Sequence, residues 1–395
     1  WKDEQIQVRI DRLHAEKAGI YGELLITTTA PGSHSHIHGP VHFNLISTTA
    51  RRSLVTHLTE SAALNWAGIL EQACYIVVEE HRQGVPAVNI ADYAPSESLG
   101  MRIAPILQER MSAVFYGEGD SLKSFFATYL AVLVRTGQAQ SGLTPEPGKV
   151  LFLDYETDLD TFWERVNMLT AGMGMAPPDG LLYRPMVQSL VEEFPRLNQI
   201  TMDNDIGLII VDSAAPATVE PEKAEYVIPF FRALRSLNTT NIVIAPMTKS
   251  SAGRGDYPFG STMWRNLPRA NFMIKADRHD NDVAISLKHT KANNGRRLAP
   301  MGFKFAFTED DVRVSKVDAA EYIDLAQDVG LTARIKRLLE GGAMNLQEIT
   351  EGIHGLESEN KTTVNSIKST LSRGSRQGHF LNINGDWGNA VNDRS

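Results

Sequence analysis

Between about residues 101 and 325 the chain repeats one pattern: a short apolar run, a polar turn, then a longer run with apolar positions three and four apart. The short runs predict strands at 114–116, 150–154, 207–212, 241–245, 272–276, 283–289 and 302–307. The longer ones predict helices over 125–135, 159–169 and 223–237. Short apolar strands separated by helices imply βαβ units, hence an α/β fold with a mainly parallel sheet covered on both faces. Ligands of such sheets bind outside the carboxyl ends of the strands.

The flanks have different textures. Residues 1–100 mix strand patterns at 21–28 and 42–46 with helical ones at 51–58 and 66–81, and Pro86 and Pro95 punctuate their end. An α+β N-terminal domain is expected there, with no role assigned. Residues 326–395 read as three helices, at 331–339, 345–353 and 362–373, followed by a strand pair turning at Asn384-Gly385. Asn-Gly is a strong hairpin signal. Three helices and a hairpin predict a winged helix, and the whole chain divides into domains at 1–100, 101–325 and 326–395.

Composition narrows the class. With 395 residues, 42% hydrophobic, and a net charge of −8, the chain suits a folded protein of more than one domain. The acidic balance confines any nucleic-acid contact to local patches or to a channel formed on assembly. The single cysteine, Cys74, sits in an apolar stretch, which excludes an internal disulfide framework and fits a cytoplasmic setting. No apolar run approaches a membrane span, so no membrane partner is expected. The chain opens on Trp1 with no signal-peptide pattern and no initiator Met, so an earlier natural start is open.

The most informative chemistry lies at Gly117-Glu118-Gly119-Asp120-Ser121-Leu122-Lys123-Ser124, between a predicted strand and the helix that begins near Phe125. The P-loop pattern G-x-x-x-x-G-K-[ST] is met at Gly117, Lys123 and Ser124 and fails at Leu122, where it asks for glycine. Backbone N–H groups of such a loop and the positive end of the next helix suit phosphates. Lys123 would neutralise the β- and γ-phosphates of ATP, Ser124 would ligate Mg²⁺, and the loop through Phe125 would wrap the nucleotide. The plain alternative is a solvated glycine-rich turn.

Two further strands end in acids. The run 206–211 leads into Asp212, which would hold Mg²⁺ opposite Ser124. The run 150–153 leads into Asp154-Tyr155-Glu156-Thr157-Asp158, where Glu156 is placed to polarise water in line with a γ-phosphate. Asp154 and Asp158 are rivals, and Asp158 also suits a helix N-terminus. Thr248 and Lys249, after the strand 241–245, are candidate γ-phosphate sensors. The basic turn from Lys288 to Arg297 is the fifth element, as solvated surface charge or as a cation reaching a neighbouring subunit's ATP.

With these elements in this order, the chain resembles the RecA-like P-loop ATPases, most closely the hexameric helicase branch of plasmid RepA-type and DnaB-type proteins, over roughly residues 100–310. The resemblance implies a phage or mobile-element enzyme, active as a ring oligomer, a hexamer, in which the water-activating glutamate follows the strand after the P-loop helix, as Glu156 does. It also implies a trans-acting cation in the segment Lys291-Ala292-Asn293-Asn294-Gly295. Asn293 stands where that family has arginine, leaving Lys291, with Arg269 or Arg265 as substitutes. DNA would thread past Lys249 and Arg254 and past loops at 214–220 and 250–256. An ATP-gated DNA-binding scaffold and an anti-phage defence ATPase are the alternatives to a helicase or translocase.

Two remaining stretches complete the expectations. Lys361, Lys368, Arg373 and Arg376 lie on or beside the third C-terminal helix with no acid among them, as in recognition helices that meet phosphates, with Thr363, Asn365 and Ser369 toward bases. His34, His36, His38 and His42 alternate as strand residues facing one way would, but flanking Pro31-Gly32 and Gly39-Pro40 predict a solvated loop rather than a metal site.

Overall fold

The computed structural model describes the chain except residues 18, 33, 85–86, 94–99, 249–256, 280–281, 294, 320–321, 323–324, 326–329, 357–361 and 391–395. Residue contacts divide it into two units, Trp1–Ser96 and Glu97–Ser395.

In the first unit, β1 (Ile6–Glu16), β2 (Gly19–Thr28) and β3 (His36–Asn44) form an antiparallel sheet in chain order. Helices α1 (Thr48–Ser61) and α2 (Trp66–Gln83) follow, each opened by a side-chain cap: Ser47 accepts from the Ala50 N–H and Asn65 from the Gly68 N–H. Alternate residues Ile20, Leu24 and Ile26 of β2 pack with Leu54, Leu58, Trp66, Leu70 and the buried Cys74. The expectation of a loop at the histidines is corrected: His36 starts β3, and a cis Gly39-Pro40 bond lies inside the strand. Proline is tolerated because β3 is an edge strand and the ladder shifts register there, between Leu24 and Ile26.

The second unit opens with β4 (Met101–Ala104), β5 (Leu107–Gln108), β6 (Ser112–Gly117), α3 (Lys123–Thr136), β7 (Thr144–Pro145) and β8 (Lys149–Asp154). Then come α4 (Leu159–Gly172), β9 (Leu181–Pro185), α5 (Leu190–Asn204), β10 (Ile206–Asp212), α6 (Ala214–Ala217), α7 (Ala224–Ser236) and β11 (Thr240–Pro246). Short α8 (Met263–Asn266) precedes β12 (Ala270–His279), β13 (Asp282–Ala292), β14 (Met301–Phe307) and β15 (Val312–Val317). Part of the stretch 214–220, expected as a loop, is the helical turn α6.

A nine-stranded sheet runs β15-β14-β13-β12-β6-β11-β10-β8-β9. Pairs from β12 to β9 are parallel and those from β15 to β12 antiparallel. Side chains alternate across it. Phe115, Phe152, Ile210 and Ile244 face α3 and α4, whereas Val114, Leu153, Val211 and Val243 face α5 and α7. Helix α3 is buried from Phe126 through Val134, so its N-terminus is held rigidly at the end of β6.

The C-terminal segment carries α9 (Leu331–Leu338), α10 (Leu346–Gly355), α11 (Val364–Arg376) and a hairpin of β16 (Phe380–Ile383) and β17 (Asp386–Asn389). Ile335, Ile349, Ile353, Ile367, Leu371 and Phe380 make its core. Asn384 and Gly385 both have positive φ, 55° and 100°, as a two-residue I′ turn requires. Among the described residues no helix is long and apolar enough to cross a membrane.

Candidate functional site

Strand register brings the expected residues to one level. Gly117 pairs with Pro246, Phe115 with Ile244, Ile244 with Asp212, and Asp212 with Asp154. The carboxyl ends of β6, β11, β10 and β8 therefore share one rim. A cleft of about 430 Å³ opens on it, lined by Gly119 to Phe125, Glu156, Arg165, Asp212, Ser213 and Arg278 among others.

The loop is folded on itself. The Ser121 hydroxyl donates to the Glu118 carbonyl at 2.8 Å, and the Lys123 ammonium donates to that carbonyl and to Ser121 Oγ. Burial lowers the Lys123 pKa, and the carboxylates of Asp212, Glu156, Asp120 and Glu118 oppose that shift. Leu122 adopts the left-handed conformation, φ 56° and ψ 23°, that a glycine takes without strain. Its side chain packs against the core beside α3. At Gly117 the loop needs glycine for a different reason: a Cβ there would lie 2.2 Å from the Ile274 carbonyl oxygen of β12.

Asp212 is 2% exposed, and its Oδ1 is buried without a hydrogen-bond partner. Burial pushes its pKa up to about 6; the Ser124 hydroxyl bonded to it works the other way, and the negative charges of Glu156 and Asp154 add to the rise. A buried, unpartnered carboxylate oxygen beside a hydroxyl is a hard, all-oxygen donor set, so the residues present fit Mg²⁺.

The three acids after β8 separate by role. Asp154 Oδ1 accepts from the backbone N–H groups of Glu156 and Thr157, at 2.9 and 3.0 Å, and its other oxygen from the Thr157 and Tyr183 hydroxyls. Asp158 caps α4 by accepting from the Thr161 N–H at 2.8 Å. Glu156 is instead exposed to the cleft, where the Ser213 hydroxyl donates to it.

Two cations of this site escaped sequence reasoning. Arg165 projects from α4 into the cleft with a buried Nη1 that has no partner. Arg278, near the end of β12, donates to the Asp120 carbonyl at 2.7 Å. Neither carried a local signal, because each arrives through a tertiary crossing.

Other expected residues lie elsewhere. Thr248 is exposed, and its N–H and hydroxyl both donate to the Tyr257 carbonyl; it does not line the cleft. Lys291 and Arg269 are at the opposite end of the sheet, since Asn271 pairs with Lys291 and, on its other side, with Val114. The Lys291 ammonium donates to the carbonyls of Asn266 and Pro268 at 2.7 and 2.6 Å, with its pKa lowered by burial and by Arg269 and Arg265. Lys249, Arg254 and Lys361 lie outside the described residues. Lys368, Arg373 and Arg376 are exposed on α11, while the Thr363 hydroxyl, expected toward bases, caps that helix by accepting from the Ser366 N–H.

The α/β core with this loop and acid pair has the layout of a P-loop nucleotide site. Residues 79–244, less than half of the chain, match a family model described as an AAA domain. The matched span includes the strand, loop and helix of the candidate phosphate site and both acidic strand ends. No curated protein matches. Among solved structures, the chain is similar to a KaiC-like protein from the hyperthermophilic archaeon Pyrococcus horikoshii OT3, at 11% identity and a TM-score of 0.39, over 55% of this chain and 97% of that one.

Proposed function

We propose that this protein is an ATP- and Mg²⁺-dependent motor on DNA, a helicase or translocase working as a ring oligomer, a hexamer, in the replication of a phage or other mobile element. The observation that carries the reading is the convergence of Lys123, Ser124, Asp212 and Glu156 on one cleft, while Lys291 and Arg269 stand at the far end of the same sheet. Cations that cannot reach their own cleft suit a head-to-tail assembly in which each subunit completes its neighbour's site.

In this reading Lys123 and the N–H groups at the start of α3 hold the β- and γ-phosphates. Ser124 and Asp212 hold Mg²⁺, which supplies charge neutralisation at the phosphate oxygens when bound. Glu156 orients a water in line with the γ-phosphorus and accepts its proton as the bond to the β–γ bridging oxygen breaks. Ser213 keeps that carboxylate aimed. Arg165 and Arg278 offset the negative charge that remains. DNA contacts fall to Lys368, Arg373 and Arg376 on the C-terminal helix and, outside the described residues, to Lys249, Arg254 and Lys361.

A second reading is favoured by Lys291, whose ammonium already has two backbone partners in its own chain. A finger so occupied suits an ATP-gated DNA-binding scaffold that assembles without unwinding. A fluorescent forked duplex separates the two: ATP-dependent strand release supports the motor, and ATP-dependent binding without release supports the scaffold.

A further inference from the structure

The phosphate site leaves unused a group of side chains on the N-terminal sheet, and an irregularity in β1 explains how they meet. Strands β1 and β2 pair regularly down to Asp11 opposite Glu23, then resume at His14 opposite Tyr21. Arg12 and Leu13 thus face the single residue Gly22, and Arg12 takes a positive φ of 53°. This is a β-bulge, and one extra residue moves every later side chain of the strand to the other face. Before it, Ile6, Val8 and Ile10 point into the core. After it, His14 and Glu16 point outward, onto the face that carries Tyr21 and His42.

The three rings gather there. His14 stacks on Tyr21 at 5.9 Å and on His42 at 5.5 Å, and Tyr21 lies nearly parallel to His42 at 5.0 Å. One ligand atom each from His14, Glu16 and His42 lies within 4.8 Å of the others. His14 is held in a specific way: Nδ1 is 2.9 Å from the Arg12 carbonyl, which can only accept, so Nδ1 carries the proton. Nε2 is left facing Glu16 Oε1 at 3.2 Å. Histidine metal ligands are oriented in this manner, one nitrogen donating to a carbonyl and the other turned toward the ion and a carboxylate.

We infer that His14, Glu16 and His42 form a site for a zinc-class divalent ion, which fastens β1 to β3 across β2. Two imidazoles and one carboxylate are the donor set of open tetrahedral zinc sites, with water completing the shell. Ligand atoms around such an ion stand about 3.3 Å apart, so these exposed side chains need to close by only about an ångström or so. A hard ion such as Mg²⁺ would choose the all-oxygen cleft instead. The residues differ from the His34-to-His38 run in that the bulge, not a sequence repeat, brings them together.

The test uses the full chain without an affinity tag, stripped with chelator and dialysed against ZnCl₂ in the absence of nucleotide. One equivalent of zinc is expected, with His14→Ala and His42→Ala each weakening it by roughly tenfold or more. His57→Ala, which removes the ring packed against His38 at 5.2 Å, should leave the zinc in place. Cobalt(II) in place of zinc should give visible bands that both site variants abolish. Circular dichroism of the variants checks folding, which exposed positions should preserve. Absence of stoichiometric zinc in the parent chain, or equal retention by His14→Ala and His42→Ala, would overturn the site and leave only an ion pair between His14 and Glu16. ATP hydrolysis plays no part in the readout.

Discussion

Ser213 and Glu156 meet across the ends of two neighbouring strands, the hydroxyl donating to the carboxylate that faces the cleft. Glu156→Gln should keep nucleotide binding and lower turnover by about 10²-fold or more. Ser213→Ala, which leaves the carboxylate present but unaimed, should cost between about 10- and 100-fold. Phosphate release and fluorescent-nucleotide titration on both variants check this. Full hydrolysis in Glu156→Gln would remove it as the water-activating group.

Lys123→Ala should abolish nucleotide binding at ordinary concentrations, because no other described ammonium lines the cleft. Equilibrium titration with Mg²⁺ present measures it. Affinity within a fewfold of the parent chain would assign the phosphates to Arg165 and Arg278 instead.

Asp212 makes the nucleotide-free protein sensitive to pH. Its folded pKa of about 6 is above its unfolded value, so the folded state binds the proton more tightly. The contribution to stability is complete below about pH 4 and is lost as pH rises through 6, amounting to roughly 3 kcal/mol. Asp212→Asn should remove this slope and raise the melting temperature at pH 8 relative to the parent. Mg²⁺ with nucleotide should stabilise the parent at pH 8 and not the variant.

Leu122 holds a conformation that costs an ordinary residue about 1–2 kcal/mol. Leu122→Gly should relieve that strain while losing part of an apolar contact, for a net change within about 1 kcal/mol and undiminished nucleotide affinity. Leu122→Val should be worse on both counts, since a β-branched side chain resists positive φ. Denaturant unfolding and nucleotide titration together test it, and equal behaviour of the two variants would sink the explanation.

Gly117 and Gly119 should respond unequally to alanine. A Cβ at 117 meets backbone oxygen at 2.2 Å, whereas at 119 it meets nothing within 4 Å. Gly117→Ala should cost about 2 kcal/mol or more in urea melts, and Gly119→Ala almost nothing.

Much of this site was legible because its parts are contiguous in sequence: Gly117 to Ser124 follow an apolar run directly, and Asp212 and Glu156 end or just follow apolar strands. Arg165 and Arg278 were not, since α4 and β12 bring them in from helix and strand positions that look like ordinary surface. The sheet was legible where both faces are buried. Two of its edges were missed: Leu181–Pro185, which is only half buried, and Val312–Val317, whose outward residues are charged or polar. Strand β1 was missed because the polar residues of its second half hide the alternation of Ile6, Val8 and Ile10. The histidine strand was misread because Gly39-Pro40, usual punctuation of loops, here sits within an edge strand.

Strands β12 and β13 have one end at the Gly117-to-Ser124 loop, through Arg278, and the other at Lys291 and Arg269. About ten residues of extended chain separate them, roughly 30 Å. Antiparallel pairing runs along this span from His279 opposite Asp282 to Ala270 opposite Ala292, with one register shift between Asn271 and Phe272. Because β12 is also paired with β6 and β13 with β14, the two strands act as a spacer fixed within the wider sheet, and strand length alone sets how far the Asp120 contact stands from Lys291 in one subunit.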